Sequence, residues 1–204
     1  MKQKRKTKKF ISSRQFFNIL RSRNSRNVRS IDKKIKTLCG TEMAVMVLDS
    51  SGFSRKTHEH GIIEFMDNMT ECHDKMEDMV RKFKGSTLSS KADNLIAVFE
   101  KTDDAVKCAM EINYWLRERN KKLTEIKQYN VCTGIHFGEL LRLKDDAYGS
   151  AVNVAFKLGE DIAGKDEILV TESAYKTIKD RFNLKYSRHT TIGGVAFDIY
   201  KVEW

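Results

Sequence analysis

Proline is absent from the 204-residue chain, and no apolar run approaches the roughly 20 residues that cross a bilayer. The N-terminus also lacks the apolar stretch and small-residue cleavage site of a secretory signal. The four cysteines are scattered and form no C-x-x-C pair, so they are expected to be reduced thiols in a cytoplasmic protein. These absences argue against a membrane-spanning protein and against a secreted domain held together by disulfides.

Acidic residues are nearly missing from the start of the chain. Residues 1–40 contain 14 Lys and Arg but a single acid, Asp32, and carry +13, whereas the remaining residues carry −3. The net charge of +10 therefore describes a basic head on a mildly acidic body, which is not typical of a uniformly basic nucleic-acid-binding fold.

The length and the charge step predict residues 1–41 as a basic, partly disordered N-terminal extension and residues 42–204 as one domain. Residues 1–12 are expected to be disordered, because a block of like charge repels itself and buries nothing. Loosely spaced apolar residues favour short helices between residues 15 and 38. Two interpretations of this arm stay open: a contact with acidic surfaces, lipid headgroups or nucleic acid, or a solubilising tail.

The body alternates between apolar runs of strand length and segments with helical spacing. Strands are predicted at residues 43–48, 95–99, 129–137, 139–143, 168–170 and 195–202, with Gly138 as the break between the third and fourth. Helices are predicted around residues 62–83, 103–116 and 149–158 and after Thr171, which is expected to cap the last one. The order β-α-β-α-β-β-α-β-α-β indicates an α/β (α+β) sandwich with helices packed on a sheet.

Three side chains on these elements are not expected to carry chemistry. His136 and Cys132 lie on one predicted strand and are interpreted as core residues. His73 is placed beside the polar face of the long helix, and the methionines of that helix are interpreted as core packing.

Two aspartates stand next to buried strands. Asp49 directly follows the first strand, and Asp93 lies just before the second. If those strands are neighbours, the carboxylates meet at one edge and repel unless cations lie between them. Mg²⁺ or Mn²⁺ bound by carboxylates and substrate phosphates fits such a pair. The alternative, which spacing alone favours, is that Asp49 caps a helix and Asp93 lies in a solvated turn.

The small loop of residues 50–54 follows Asp49 and can present backbone N–H groups at a helix N-terminus, where phosphates bind. Taken alone, this pattern is weakly specific.

Four motifs in order carry a resemblance to the catalytic domain of class III nucleotidyl cyclases. Residues 47–54 are similar to strand-Asp-x-x-Gly-Phe-Thr/Ser, and residues 92–99 to Gly-Asp-x-x-x-Ala-x-Phe. Residues 134–139 are similar to Gly-Ile-His-x-Gly-Glu, and residues 146–155 to Asp-x-x-Gly-x-x-Val-Asn-x-Ala. The resemblance runs from about residue 43 to residue 202. It implies a ferredoxin-like palm, with helices packed on a mainly antiparallel sheet, and a homodimer with its sites between head-to-tail protomers.

The resemblance also implies roles for single residues. Two Mn²⁺ or Mg²⁺ ions would be bound by Asp49 and Asp93, with the Ser50 carbonyl as a further ligand. The backbone of Ser51, Gly52, Phe53 and Ser54 would hold the β- and γ-phosphates. Asp146 would contact the base, and Asn153 would orient the ribose. The implied reaction is in-line attack of the ribose 3′-oxygen on the α-phosphorus with loss of pyrophosphate.

The chain departs from the family pattern at three places. Lys157 stands where an Arg usually stabilises charge on the α-phosphate, which keeps the cation but loses the planar fork. Ser89 stands where adenylate cyclases usually carry a base-reading Lys, and a short hydroxyl cannot reach as a lysine does. Residues 191–194 lack the Lys that often binds the triphosphate.

These departures leave the function open within the family. Ser89 and the lack of a regulatory module in the sequence resemble the pyrimidine cyclases of Pycsar anti-phage signalling, whose cyclic CMP or cyclic UMP activates a separate effector. The alternatives are an adenylate cyclase with an altered base pocket, which Asp146 favours, and a cyclase-like module that binds nucleotide without catalysis. A nucleic-acid binder that uses the basic arm is a further alternative. A diguanylate cyclase would need a Gly-Gly-Asp/Glu-Glu-Phe loop, which the sequence lacks.

Overall fold

The computed structural model describes residues 9–91 and 93–204. The helices are α1 (Ser13–Arg21), α2 (Val28–Cys39), α3 (Phe53–His60), α4 (Ile62–Lys82), α5 (Thr102–Asn120), α6 (Ser150–Lys157) and α7 (Glu172–Ile178). The strands are β1 (Gly40–Ser50), β2 (Ser86–Lys91), β3 (Asn94–Phe99), β4 (Val131–Arg142), β5 (Ala147–Tyr148), β6 (Ile168–Thr171), β7 (Leu184–Ile192) and β8 (Val195–Val202). A 3₁₀ turn covers Glu125–Lys127, and a π-helical turn, Leu158–Ile162, continues α6.

The strands form one sheet in the order β2-β3-β1-β4-β6-β8-β7, with the short β5 paired to β4. In the described part of the chain β4 and β6 run parallel, and every other neighbouring pair is antiparallel. The expected sandwich with a mainly antiparallel sheet is therefore confirmed.

The alternation of side chains along β1 feeds two cores on opposite faces of the sheet. Met46 and Leu48 point into the larger core, which is shared with α4, α5 and α7. Val45 and Val47 point into a smaller core beneath α6. The methionine stripe of α4 contributes to the larger core as expected, except near the start of the helix, where Met66 is 38% exposed.

The structure differs from the predicted elements at several points. Two polar strands, β2 and β7, were not predicted. The third and fourth predicted strands are one continuous strand, because Gly138 keeps its place in the β1–β4 ladder opposite Met43. Thr171 precedes α7 as expected, but its side chain makes no cap hydrogen bond. The Thr171 Oγ1 instead lies 2.8 Å from Nδ1 of His136, a buried core histidine as predicted.

The described part of the basic arm packs onto the far end of β4. Helices α1 and α2 enclose a small apolar cluster around Phe16, Ile35 and Leu143. The predicted disorder of residues 1–8 lies outside the described residues. Residues 9–12 differ from the expected disorder, because Ile11 packs against this cluster and Ser12 caps α1 in a capping box.

In the described ranges, no helix is long and apolar enough to span a membrane. All four cysteines are buried. Burial raises the pKa of the Cys132 thiol to about 11, which leaves little thiolate at neutral pH.

Candidate active site

The structure brings Asp49 and Asp93 together at one end of the strands β1 and β3. Strand β1 is antiparallel to β3, and Asp49 lies opposite Asn94, the residue that follows Asp93. The Ser50 N–H donates to the Asp93 carbonyl at 3.2 Å, and the Ser50 hydroxyl lies 3.5 Å from an Asp93 carboxylate oxygen. Asp49 lies on β1, and Asp93 lies directly before the neighbouring strand β3, which is an arrangement that suits a shared cation.

The electrostatics of this edge penalise an ionised Asp49. Burial raises the pKa of Asp49 to about 7, and the charges of Asp93, Glu160 and Asp161 act in the same direction. A divalent cation would relieve this repulsion, so the donor set fits Mg²⁺ or Mn²⁺. Within residues 9–91 and 93–204, no group of three or more His, Cys, Asp or Glu side chains is placed to hold a metal. A cation here would therefore need backbone or substrate oxygens as well.

The loop after Asp49 leads into α3 through a left-handed residue. Gly52 has φ 86° and precedes the first residue of α3, Phe53, so Asp49 is not the helix cap. The Ser51 N–H donates to the Asn130 carbonyl at 2.9 Å, and the expected phosphate contact from Ser51 is therefore not available in this structure. Gly52, Phe53 and Ser54 remain as backbone candidates, because the first N–H groups of a helix have no partner within it.

Asp146 lies at the opposite end of the sheet from Asp49. Asp49 pairs with Cys132 in the β1–β4 ladder, whereas Asp146 follows the far end of β4, beyond Leu141. The nine residue steps from Cys132 to Leu141 correspond to about 30 Å of strand. One chain therefore does not bring its expected metal ligands, Asp49 and Asp93, next to its expected base contact, Asp146.

Asn153 and Lys157 both lie on α6 and are exposed. Their spacing of four residues puts them on one face of the helix. Lys157 forms an ion pair with Asp161 at 3.2 Å. Both predicted residues therefore point away from their own domain.

Ser89 lies on the edge strand β2, opposite Ile96 of β3. Ile96 packs against the smaller core beneath α6. Ser89 therefore belongs to the α6 side of the sheet. Of residues 191–194, the first two end β7, and Gly193 and Gly194, both with positive φ, form the turn to β8.

Four residues near the two aspartates were not anticipated from the sequence. Glu160 and Asp161 come from the π-helical turn after α6. His73 is 5% exposed and faces the core of α4, which corrects its predicted polar-side position. It lies 3.2 Å from the hydroxyl of Tyr129, a side chain that is 2% exposed. A sequence motif contains residues that are close in sequence, and these side chains come from three separate segments.

The adenylate and guanylate cyclase catalytic domain family matches residues 38–202. The chain belongs to this family. The cyclase family match covers all four sequence motifs, and the fold described above is that of its catalytic domain.

A stretch of 136 residues is 30% identical to the serine/threonine-protein kinase pkn2 of Myxococcus xanthus. It covers 64% of this chain but 16% of the kinase, so the chain spans only a small part of that relative.

Solved cyclase structures share the fold. An adenylate/guanylate cyclase/hydrolase from Silicibacter pomeroyi aligns with a TM-score of 0.71 at 19% identity, over 80% of this chain and 96% of that one. The guanylyl cyclase Cya2 aligns with a TM-score of 0.72 at 21% identity, over 80% of this chain and 92% of that one.

Proposed function

We propose that this cyclase domain converts a nucleoside triphosphate into a 3′,5′-cyclic nucleotide and pyrophosphate. The observation that carries the proposal is the convergence of Asp49 and Asp93 at one edge of the sheet, joined through Ser50. Asp49 is half-buried, and burial together with the charge of Asp93 raises its pKa. A divalent cation beside the two carboxylates would offset both effects.

In this proposal the chain positions groups and neutralises charge, and no side chain acts as a nucleophile. The ribose 3′-oxygen forms a bond to the α-phosphorus while the bond from that phosphorus to the β-phosphate oxygen breaks. The 3′-hydroxyl proton leaves to solvent. Asp49, Asp93 and the Ser50 carbonyl would hold two Mn²⁺ or Mg²⁺ ions, which supply charge neutralisation when bound.

Other residues would bind the nucleotide. The backbone of Gly52, Phe53 and Ser54 would contact the terminal phosphates. Asn153 would orient the ribose, and Lys157 would stabilise charge on the α-phosphate.

The proposed active form is a homodimer with a site at each end of its interface. This proposal is supported by the distance between Asp146 and Asp49, roughly 30 Å along β4. The two residues of one chain are too far apart to contact the same nucleotide. Partly buried apolar side chains surround α6 on the same face as Ser89, and such a patch suits a protein interface. They are Leu88, Ile96, Val152 and Phe156.

We propose a pyrimidine nucleotide, CTP or UTP, as the substrate. Ser89 supports this choice, because its short hydroxyl lies on the α6 side where adenylate cyclases usually carry a Lys. The resemblance to pyrimidine cyclases extends the proposal to a cytoplasmic second messenger that a separate effector detects during anti-phage defence. The remaining candidate substrate is ATP, and Asp146 is the observation that favours it.

The deciding experiment incubates the purified chain with Mn²⁺ and each of the four nucleoside triphosphates, with the products identified by mass spectrometry. Cyclic CMP or cyclic UMP as the main product supports the proposal. Turnover of ATP alone contradicts the pyrimidine assignment. Binding of nucleotides without any product would identify a non-catalytic module and contradict the cyclase activity.

The determinant of base choice is tested by the substitution Ser89→Lys. It is expected to raise the turnover of ATP relative to CTP and UTP. Ser86→Lys, at an exposed position of the same strand, is the control and should leave the ratio unchanged.

A further inference from the structure

A chain of buried and partly buried polar side chains runs from Asp93, at the strand ends where a metal is proposed, to the edge strand β2. The Ser50 hydroxyl lies 3.5 Å from an Asp93 carboxylate oxygen and lies beside the hydroxyl of Tyr129. The Tyr129 hydroxyl lies 3.2 Å from Nε2 of His73, and Nδ1 of His73 lies 2.8 Å from the Ser90 hydroxyl. Buried polar groups that are joined in this way specify one arrangement, because each unmade bond would cost its desolvation.

The protons of this chain can be assigned in one consistent direction. The Asp93 carboxylate only accepts, so Ser50 donates to it and accepts from Tyr129. Tyr129 then accepts from Nε2–H of His73, whose Nδ1 accepts from Ser90. This pattern uses the neutral imidazole, and burial lowers the pKa of His73 against the opposing charges of Asp93 and Asp74.

At its other end, this chain of polar side chains contacts β2, a strand whose backbone pairing is irregular. Strand β2 is at the edge of the sheet, and its pairing with β3 shifts between Thr87 and Ser89. A slip by one residue would move every side chain of β2 to the other face. The bond from His73 keeps Ser90 on the α4 side, which leaves Ser89 on the α6 side.

We propose that His73 is a positioning residue that orients Asp93 through Tyr129 and Ser50, and Ser89 through Ser90. The inference rests on the proposed function and deepens it, since it links cation binding and base choice to one buried imidazole. Partners that orient a metal ligand are worth about 10–100-fold in affinity or activity.

Two mild substitutions separate the two arms. Tyr129→Phe removes one hydroxyl and keeps the ring, and it is expected to weaken binding of Mn²⁺ alone about tenfold in a titration followed by electron paramagnetic resonance. Ser90→Ala is expected to leave Mn²⁺ binding unchanged. It should reduce the preference for the best of the four nucleoside triphosphates by roughly fivefold, in affinities measured by thermal shift. Tyr175→Phe is the matched control, because Tyr175 stacks on Tyr200 at 3.8 Å, away from this chain.

His73→Phe should produce both effects together. The proposal is overturned if Tyr129→Phe binds Mn²⁺ as the parent does, or if Ser90→Ala keeps the parent's nucleotide preference. Neither readout needs turnover. A protein that makes no cyclic nucleotide therefore contradicts the proposed function, while the Mn²⁺ titration and the thermal shifts still decide the role of His73.

Discussion

The backbone N–H of Ser50 donates to the carbonyl of Asp93 at 3.2 Å. This bond continues the β1–β3 ladder by one step beyond Asn94, the last paired residue of β3. It ties the end of β1 to the turn before β3, so the carboxylates of Asp49 and Asp93 stay close although they repel. A cation bound at this place would remove the repulsion between the two carboxylates.

Asp49 is expected to destabilise the metal-free protein at neutral pH. Its pKa is about 7 in the fold against 3.8 as the ordinary value, so the folded state binds the extra proton between these pH values. Stability from this group therefore falls as pH rises from about 4 to about 7 and stays low above that range. Asp49→Asn should raise the metal-free melting temperature by a few degrees at pH 8 and change it little at pH 4.

The measurement is thermal unfolding across this pH range, with and without Mn²⁺. Mn²⁺ should stabilise the parent more than Asp49→Asn, because the variant lacks one carboxylate ligand. Asp180→Asn, at an exposed position, is the control. A melting temperature for Asp49→Asn below that of the parent at pH 8 would show that the ionised Asp49 does not destabilise the fold.

The proposed dimer predicts that two inactive variants restore each other. Asp93→Ala removes a proposed metal ligand, and Asn153→Ala removes the proposed ribose contact. Each substitution alone should lower the activity on the order of a hundredfold or more. A mixed dimer holds one site with both residues intact. Activity should therefore return on mixing, and titration of one variant into the other measures it. If the mixture stays as inactive as its components, the two residues act in one protomer.

Buried elements could be predicted from the sequence better than edge elements. Strands β1 and β3 lie inside the sheet and are apolar on both faces, and their runs were identified. Strands β2 and β7 are the two edges, and their polar sequences carry no such signal. The pairing of Asp49 with Asp93 depended on a strand order that only the fold supplies. Contacts such as His73 with Tyr129, 56 residues apart, leave no local pattern.

The close packing of α6 on β4 predicts a strong effect of one added methyl group. A Cβ at Gly134 would lie 2.4 Å from the backbone nitrogen of Gly159 and 2.6 Å from the carbonyl oxygen of Ala155. Gly134→Ala should therefore cost about 1–3 kcal/mol of unfolding free energy and displace the end of α6 that carries Lys157. Urea unfolding tests the first effect and kcat the second. Gly164→Ala, which meets only the flexible Glu167 side chain, should change neither.

Lys157 should matter for catalysis and not for stability. Its ion pair with Asp161 joins side chains that are both 54% exposed, and such pairs contribute little. Lys157→Ala should lower kcat on the order of a hundredfold with an unchanged melting temperature. Lys157→Arg should retain activity, because the guanidinium keeps the charge and adds a bidentate fork. Lys176→Ala removes a comparable ion pair with Glu172 and is the control. Equal kcat values for Lys157→Ala and the control would contradict the role.

The arm is expected to contribute to stability through one aromatic side chain. Phe16 is 5% exposed and stacks on Tyr148 at 5.8 Å, beside the loop in which Asp145 accepts hydrogen bonds from Ser13. Phe16→Ala should cost about 3 kcal/mol, if α1 stays docked, and should weaken nucleotide binding because the same loop carries Asp146. Leu20→Ala, on the same helix and 39% exposed, is the matched control and should cost much less. Urea unfolding and nucleotide titrations compare the two. If both substitutions have the same small effect, α1 is an accessory to the domain and does not support the loop.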